Sequence, residues 1–491
     1  MTLPTNPAEV TGVSGRQAIE EGTAREAPIQ DVQRGHTGRD IAPIRSTSTR
    51  CPVCVRRVTG TIEEIDAKVY LCRSCPEHGP FQFLLSANAQ LYRDLDRFYF
   101  EVLKTTDQPQ GRITNYWVLS TNRCQLNCAF CQAEVEAPVF DDMSADEFRA
   151  LFASHGTTKL TLSGGEPTLH PQAAAFFAEA HARGMSTQLA TNGVRLAQRD
   201  YCRTLAAAKV SEVRISIESL DDRRVPGLYD DAFYPLKLEA LKNLEAFGIT
   251  TILSPTIFKG VNESLLIDAL EFAKDRPFIK EISANGFSWV GEGRGMDAGL
   301  MIMPDEMMDL LHRRYCSSGR EEIFTLQKAL LTALQMMRIR LCLYTQVMIF
   351  VRERRGLAPI TDYLDMTRLA AGIRTWERFA RSPYPLQLVA FLGACLSSLR
   401  WRSLKLAGPL ARLFLATAFG INIHRYPSKL LAVVLNTNCS TLNADEMVGT
   451  QCMSGVLYKQ NGAMLEAVSS EMLLRKEAAH AKQPIQRSRR G

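Results

Sequence analysis

The sequence predicts an α/β protein: a partial (β/α)6 barrel of the TIM-like kind, led by a small N-terminal metal knuckle and followed by a mainly helical C-terminal region. Three observations predict it. Six strand-like runs alternate with helix-like runs between residues 115 and 285, a pattern that calls for parallel strands joined by right-handed crossovers. Two Cys-x2-Cys pairs, Cys51/Cys54 and Cys72/Cys75, flank a short strand-like run, "KVYLC". Beyond Met303, long apolar stretches studded with arginine replace the alternation.

Each element has its own signal. Residues 1–45 are rich in Pro, Gly, Thr and Glu, lack periodicity and lack an apolar signal core, so they read as a disordered tail of a cytoplasmic protein. Residues 46–110 hold the knuckle and a linker. In 111–300 the strands are "YWVLS" (116–120), "KLTLSG" (159–164), "STQLAT" (186–191), "EVRISIE" (212–218), "TTILSPTIF" (250–258) and "IKEISAN" (279–285). The first intervening helix starts at Ser144, which forms a capping box with Glu147. Later helices end at Gly184 and Gly248, the residue that best closes a helix. Residues 301–470 read as helical and 471–491 as a polar tail.

Composition narrows the class. The 491 residues are 46% apolar and 22% charged, as in a folded chain of two or three domains. Thirteen cysteines without an export signal favour metal binding over disulfides. No membrane span and no nucleic-acid partner are expected. Charge is nevertheless uneven: residues 313–429 carry 19 Lys+Arg against 6 Asp+Glu, whereas the whole chain is only +6. A segment both basic and apolar is a candidate peripheral contact with an anionic membrane surface.

Chemistry concentrates in "STNRCQLNCAFCQAE". Cys124, Cys128 and Cys131 follow directly on the first strand. A closed structural zinc site takes four ligands, whereas three thiolates with no near fourth suit an iron–sulfur cube with one iron left open. The alternatives are three core cysteines or a zinc site finished by a distant residue. One repeat later comes "GGEP", Gly164, Gly165, Glu166 and Pro167, at the C-terminal end of the second strand, where β/α barrels carry their active sites. Two glycines permit close backbone approach, so their N–H and C=O groups can meet an ammonium and a carboxylate; the alternative is a tight turn. Cys51, Cys54, Cys72 and Cys75 match a tetrahedral four-thiolate site for zinc or a mononuclear iron, as a structural staple or an electron relay. His78 and His170 are expected to make local hydrogen bonds, and Cys202 and Cys395 to be core.

The three-cysteine loop together with GGEP resembles radical S-adenosylmethionine (radical SAM) enzymes over roughly residues 115–295. The knuckle ahead of it resembles the subgroup of tetraether lipid synthases and methanopterin-precursor methylases. The resemblance implies that Cys124, Cys128 and Cys131 bind a [4Fe–4S] cluster whose fourth iron is chelated by SAM. A low-potential donor such as flavodoxin or ferredoxin would supply the electron. It further implies cofactor contacts at Phe130, at Asn192 in "ATNG", at Ser216 and Glu218 in "RISIES", at Asn262 after the fifth strand, and at "GEGR" (291–294). For Asn192, Ser216 and Asn262 the competing reading is loop capping. Cys316, Cys342, Cys439 and Cys452 are candidates for an auxiliary [4Fe–4S] cluster. The expected activity is hydrogen abstraction from an unactivated carbon of a lipid-like or apolar substrate, with C–C bond formation or a related modification. A methylase or maturase of a small metabolite or peptide is the alternative, and an inactive iron–sulfur scaffold is the reading from another class.

Overall fold

The computed structural model describes residues 42–105, 113, 115–132, 141–154, 159–220, 228, 232–317, 319–339, 342–406, 408, 429–449, 452, 454–461 and 463–468. The tails predicted over 1–45 and 471–491 therefore lie outside the described residues, except that Ala42–Arg50 form a strand.

That strand, β1 (Ala42–Arg50), opens an antiparallel four-stranded sheet with β2 (Arg57–Ile65), β3 (Lys68–Cys75) and β4 (Gly79–Ser86) in chain order. Asp66 and Ala67, both at positive φ, make the two-residue turn between β2 and β3, the hairpin geometry whose twist matches its strands. Period-two alternation in β3 buries Val69, Leu71, Arg73 and Cys75 on one face. Helix α1 (Ala89–Arg97) follows, capped by the Asn88 side chain, which accepts from Leu91 N at 3.1 Å.

The barrel comes next: β5 (Asn115–Thr121), α2 (Ala145–Ser154), β6 (Lys159–Gly164), α3 (Ala173–Ala182), β7 (Ser186–Thr191), α4 (Arg199–Ala207), β8 (Glu212–Ile217), α5 (Phe233–Ala246), β9 (Thr251–Ile257), α6 (Ser264–Lys274) and β10 (Ile279–Gly286). All six strands are parallel and adjacent in chain order. Their ends fall within two residues of the sequence expectations. The Ser144 capping box is present in both directions: Ser144 N donates to Glu147 Oε2 at 2.7 Å, and Glu147 N to Ser144 Oγ at 3.3 Å. Ile215, Leu253 and Ile282, fully buried, carry the core between strands and helices.

The C-terminal region supplies the expected helices α7 (Pro304–Tyr315), α8 (Arg320–Met336), α9 (Met366–Phe379), α10 (Tyr384–Ser397) and the short α11 (Glu446–Gly449). It also supplies five strands: β11 (Gln346–Glu353), β12 (Gly356–Pro359), β13 (Leu430–Thr437), β14 (Ser454–Gln460) and β15 (Ala463–Val468). β13 adds parallel to β10, with β11 and β12 outside it; β14 adds parallel to β5, with β15 outside it. The result is one eleven-stranded sheet, its two flanks both drawn from the C-terminal region. β11 lay hidden in an apolar stretch that reads as continuous helix. Its Val347, Ile349 and Val351 favour a strand, but a short apolar run fits either state by periodicity.

Residues 438–449 leave β13 at one flank on the way to β14 at the other, and the N-terminal sheet is fastened to them. Arg45 pairs with Asp96 at 2.8 Å and with Asp445, and Thr47 Oγ1 donates to Asp445 at 2.6 Å. Arg50 and Arg57 hold Glu446 at 2.6 and 2.7 Å. Arg73, buried, donates to the carbonyls of Thr441 and Leu442. Among the described residues no helix is long and apolar enough to cross a membrane.

Candidate active site and metal centre

The site lies at the C-terminal ends of β5 to β10. The cysteine loop leaves β5 and is gripped at its root by the turn that ends β6. Gly165 N donates to Thr121 O and Glu166 N to Arg123 O, each at 2.7 Å. These contacts explain the two glycines. A Cβ on Gly164, which sits at φ +137°, would stand 2.3 Å from Thr121 O; one on Gly165 would stand 2.5 Å from Asn122 O and 2.6 Å from Arg123 O. The close approach seen is to the cysteine loop's own backbone, where the N–H groups of Gly165 and Glu166 are used.

Glu166 is likewise turned inward. It is 1% exposed. Oε1 accepts from Thr168 N (3.0 Å), Thr168 Oγ1 (2.6 Å) and Thr191 Oγ1 (2.8 Å), and Oε2 accepts from Asn192 N (2.7 Å). Burial pushes its pKa up, and the four donors oppose that shift. The carboxylate therefore locks the end of β6 to the end of β7, with Pro167 buried as the first residue of the intervening 3-10 turn. Asn192 caps its own loop, its Oδ1 accepting from Val194 N at 3.0 Å. Its Nδ2 also reaches the Cys124 sulfur at 3.8 Å. Glu166 thus acts on the loop through Asn192.

At β8, Ser216 and Glu218 share a buried cation that sequence reasoning missed. Lys237 of α5 lies 2.7 Å from Glu218 and 3.3 Å from Ser216, with both charged side chains 1% exposed. Its signal was present, since Tyr234, Lys237, Leu241 and Leu244 fall on one helical stripe, the buried one. Asn262 proves to be a cap: Phe258 N donates to its Oδ1 at 2.7 Å and its Nδ2 donates to Thr256 O at 3.0 Å. Phe130 meets Phe258 edge-on at 5.4 Å, and Phe258 stacks on Phe287, in a cluster with Tyr234, Trp289 and Met301 that also touches Cys128. The "GEGR" segment forms a 3-10 turn whose Glu292 N donates to Cys131 O at 2.9 Å, so it too braces the loop. His170 makes the local bond expected of it, Nδ1 accepting from Gln172 N at 3.2 Å, and its Nε2 donates to the more distant Met143 O at 2.8 Å.

The three loop thiols lie near enough to feel one another's charge. Burial pushes the Cys124 thiol up to about 11, and Cys128 higher still. Cys128 feels the charges of Glu218, Lys237, Cys131 and Cys124. Yet among the described residues only the knuckle gathers three or more ligating side chains tightly enough for a single ion. The auxiliary set is not brought together in the same way. Cys342 feels the charge of Cys452, Cys316 follows α7 beside Glu322 and Asp362, and Cys439 follows Asn438, whose amide reaches Gln132 of the cysteine loop at 3.1 Å. Cys202 is fully buried, and Cys395 packs on the core, as expected.

The knuckle corrects the ligand set. Cys51, Cys54, Cys75 and His78 have their ligand atoms within 4.8 Å of one another; Cys72 is not among them. Three residues apart in a regular strand, Cys72 and Cys75 point to opposite faces of β3. The place of Cys72 is taken by His78, from the turn after Cys75. Tetrahedral zinc, with Zn–S of about 2.3 Å and Zn–N of about 2.0–2.1 Å, sets S···S near ~3.8 Å and S···N near ~3.5 Å. The structure has Cys54–Cys75 at 3.8 Å and Cys75–His78 at 3.5 Å. Three cysteines and one histidine thus gather at the spacings of a closed tetrahedral metal site, in place of the four thiolates read from the sequence. Burial opposes ionisation of Cys75, but bonds from His78 and the backbone N–H groups of Glu77 and His78 outweigh it and hold the thiol at about 6. Burial instead pushes Cys72, beside Glu63, up to about 12. Cys72→Ser is therefore expected to keep about one zinc per chain, whereas His78→Ala or Cys75→Ser loses it. Zinc assay of the purified variants decides, and loss in Cys72→Ser would reverse the assignment. Arg294 joins this site to the barrel: it donates to Pro52 O at 3.3 Å and lies 4.8 Å over Trp289.

Known proteins share both halves of this arrangement. The description "Radical SAM superfamily" matches residues 118–273, and "HMPTM N-terminal zinc ribbon domain" matches residues 43–87. The 7,8-dihydro-6-hydroxymethylpterin dimethyltransferase of Methanocaldococcus jannaschii is 26% identical over 288 residues, covering 53% of this chain and 57% of that protein. A GTP 3',8-cyclase of Helicobacter pylori is 28% identical over 221 residues, covering 43% of this chain and 67% of that protein. Streptococcus suis SuiB, solved with its precursor peptide SuiA, aligns at 17% identity and a TM-score of 0.35 over 46% of this chain and 50% of that one, too slight a likeness to build on. With its three-cysteine loop, its braced GGEP turn and its N-terminal cysteine site, the chain carries a radical SAM domain over residues 118–273 behind a zinc ribbon domain over residues 43–87.

Proposed function

We propose that this protein is a radical SAM enzyme that takes hydrogen from an unactivated carbon of an apolar substrate and so opens the way to C–C bond formation or a related modification. When bound, the [4Fe–4S] cluster and SAM supply a 5'-deoxyadenosyl radical for that abstraction. The chain's own residues hold, orient and exclude water. Cys124, Cys128 and Cys131 would hold the cluster; the turn at Gly164–Glu166, Asn192 and Glu292 fix the loop that carries them. The observation that carries the reading is this bracing of three thiols from β6, β7 and the segment after β10 at once. The apolar substrate is supported by the packed apolar cluster of Phe130, Phe258, Phe287 and Trp289 beside Cys128, which keeps water from that side of the loop. Modification of a pterin-like small molecule is the second reading. It is favoured by the similarity to the pterin dimethyltransferase, which covers 53% of the chain.

Anaerobically reconstituted protein given dithionite and SAM is expected to release 5'-deoxyadenosine, measured by liquid chromatography and mass spectrometry. Cys128→Ala is expected to abolish the release. A full iron load without 5'-deoxyadenosine would sink the enzyme reading; release by Cys128→Ala would remove the loop from the chemistry.

A further inference from the structure

Helix α10 is apolar on two opposite sides, and only one of them is packed. Phe391 and Ala394 are buried, and Ala394 sits so close to α9 that a Cβ on Gly372 would stand 2.5 Å from its own Cβ. The other side carries Leu386, Val389, Leu392 and Leu396, exposed by 51, 68, 42 and 66%. Spacings of three and four residues place Leu386, Val389, Leu392 and Leu396 in one stripe along the helix. Trp401, 77% exposed, continues beyond its end. A surface helix facing water would be polar on this side, but residues 382–399 carry no charge at all.

The charges stand at the ends. Arg374, Arg378 and Arg381 are exposed before α10 and Arg400 after it. From residue 366 to 406 the chain has seven Lys+Arg against one acid, Glu377, and that acid is engaged by Arg97 of α1 at 3.2 Å. The excess selects an acidic partner. The unbroken apolar stripe selects one whose acidic groups lie beside an apolar phase and not within it. A bilayer with anionic headgroups has that layering, and exposed Trp and Arg suit its boundary. At about 1.5 Å per residue, the 14 residues of α10 extend only ~21 Å, short of the ~30 Å hydrocarbon thickness.

We propose that α10 and Trp401 form a docking face for an anionic lipid bilayer. The helix lies flat, with its stripe in the acyl boundary and Arg374, Arg378, Arg381 and Arg400 among the lipid phosphates.

Flotation of the full chain with vesicles tests this, using phosphatidylcholine alone and phosphatidylcholine with about a third phosphatidylglycerol. Binding is expected only to the anionic vesicles at low salt, and is expected to weaken as salt screens the arginines. Leu386→Ser/Val389→Ser/Leu396→Ser and Arg378→Glu/Arg381→Glu are each expected to lower that partition at least about tenfold. Circular dichroism and the melting temperature serve as fold controls for these exposed positions. Failure of the native chain to bind anionic vesicles, or unchanged binding by the stripe variant, overturns the proposal. So does sedimentation that shows the stripe variant turning a native dimer into a monomer, since the stripe would then be covered by a second copy.

Discussion

Gly165→Ala is expected to strip the protein of its cluster while leaving the zinc ribbon loaded. The new Cβ would lie 2.5 and 2.6 Å from two backbone carbonyl oxygens of the cysteine loop, and backbone cannot turn aside as a side-chain end can. Relief requires the loop root to move, which breaks the 2.7 Å bonds from Gly165 N to Thr121 O and from Glu166 N to Arg123 O. Overpacking of this kind costs about 1–3 kcal/mol, and the loss of two backbone bonds adds about 1 kcal/mol each. Iron and acid-labile sulfide per chain after reconstitution, with zinc measured in the same sample, give the answer. Near-native iron in a folded Gly165→Ala protein would mean that the turn does not set the loop.

The second large effect is expected at Lys237. Lys237→Met keeps most of the side chain's bulk but removes the ammonium 2.7 Å from a carboxylate that is 1% exposed. Breaking a buried pair from one side costs about 3–5 kcal/mol, whereas replacing both partners is often neutral. Glu218→Gln/Lys237→Met should therefore recover most of what Lys237→Met loses, as read from denaturant midpoints. Cys128 feels both charges: Glu218 opposes its thiolate and Lys237 favours it. The single variant should consequently hold iron less well than the double variant. A single variant within about 1 kcal/mol of the native protein would show that the pair contributes little to stability.

Much of this was legible in the sequence, and the remainder was not for identifiable reasons. The six barrel strands and the Ser144 cap are local patterns, and they appear where expected. The positions of Glu166, Asn192 and Asn262 at strand ends are legible too. What they bond to is not: the donors to Glu166 come from the next repeat, and Asn262 closes on Phe258 and Thr256 of its own loop. The ligand swap of Cys72 for His78 follows from strand register, which a Cys-x2-Cys spacing conceals unless strand alternation is imposed on it. β13 and β14 pair with strands well over a hundred residues away in the chain, so no window of sequence holds the information that they are strands of this sheet.

That last pairing sets an order of assembly. Both edges of the six-stranded core are closed by strands that lie between residues 430 and 460, with the arm of residues 438–449 leading from one to the other. A ribosome completes β5 to β10 long before it reaches this arm. Until the arm arrives, β5 and β10 present bare edges, the state in which a sheet most readily pairs with a neighbour. The contacts that end this exposure span more of the sequence than any others in the sheet and so should form last. The same late arm carries Asn438 to the cysteine loop and Asp445 and Glu446 to the arginines of β1 and β2. Sealing the sheet, seating the zinc ribbon and bringing Asn438 to the cysteine loop thus become one late event, and cells that make this protein must keep an unfinished barrel from aggregating until it happens.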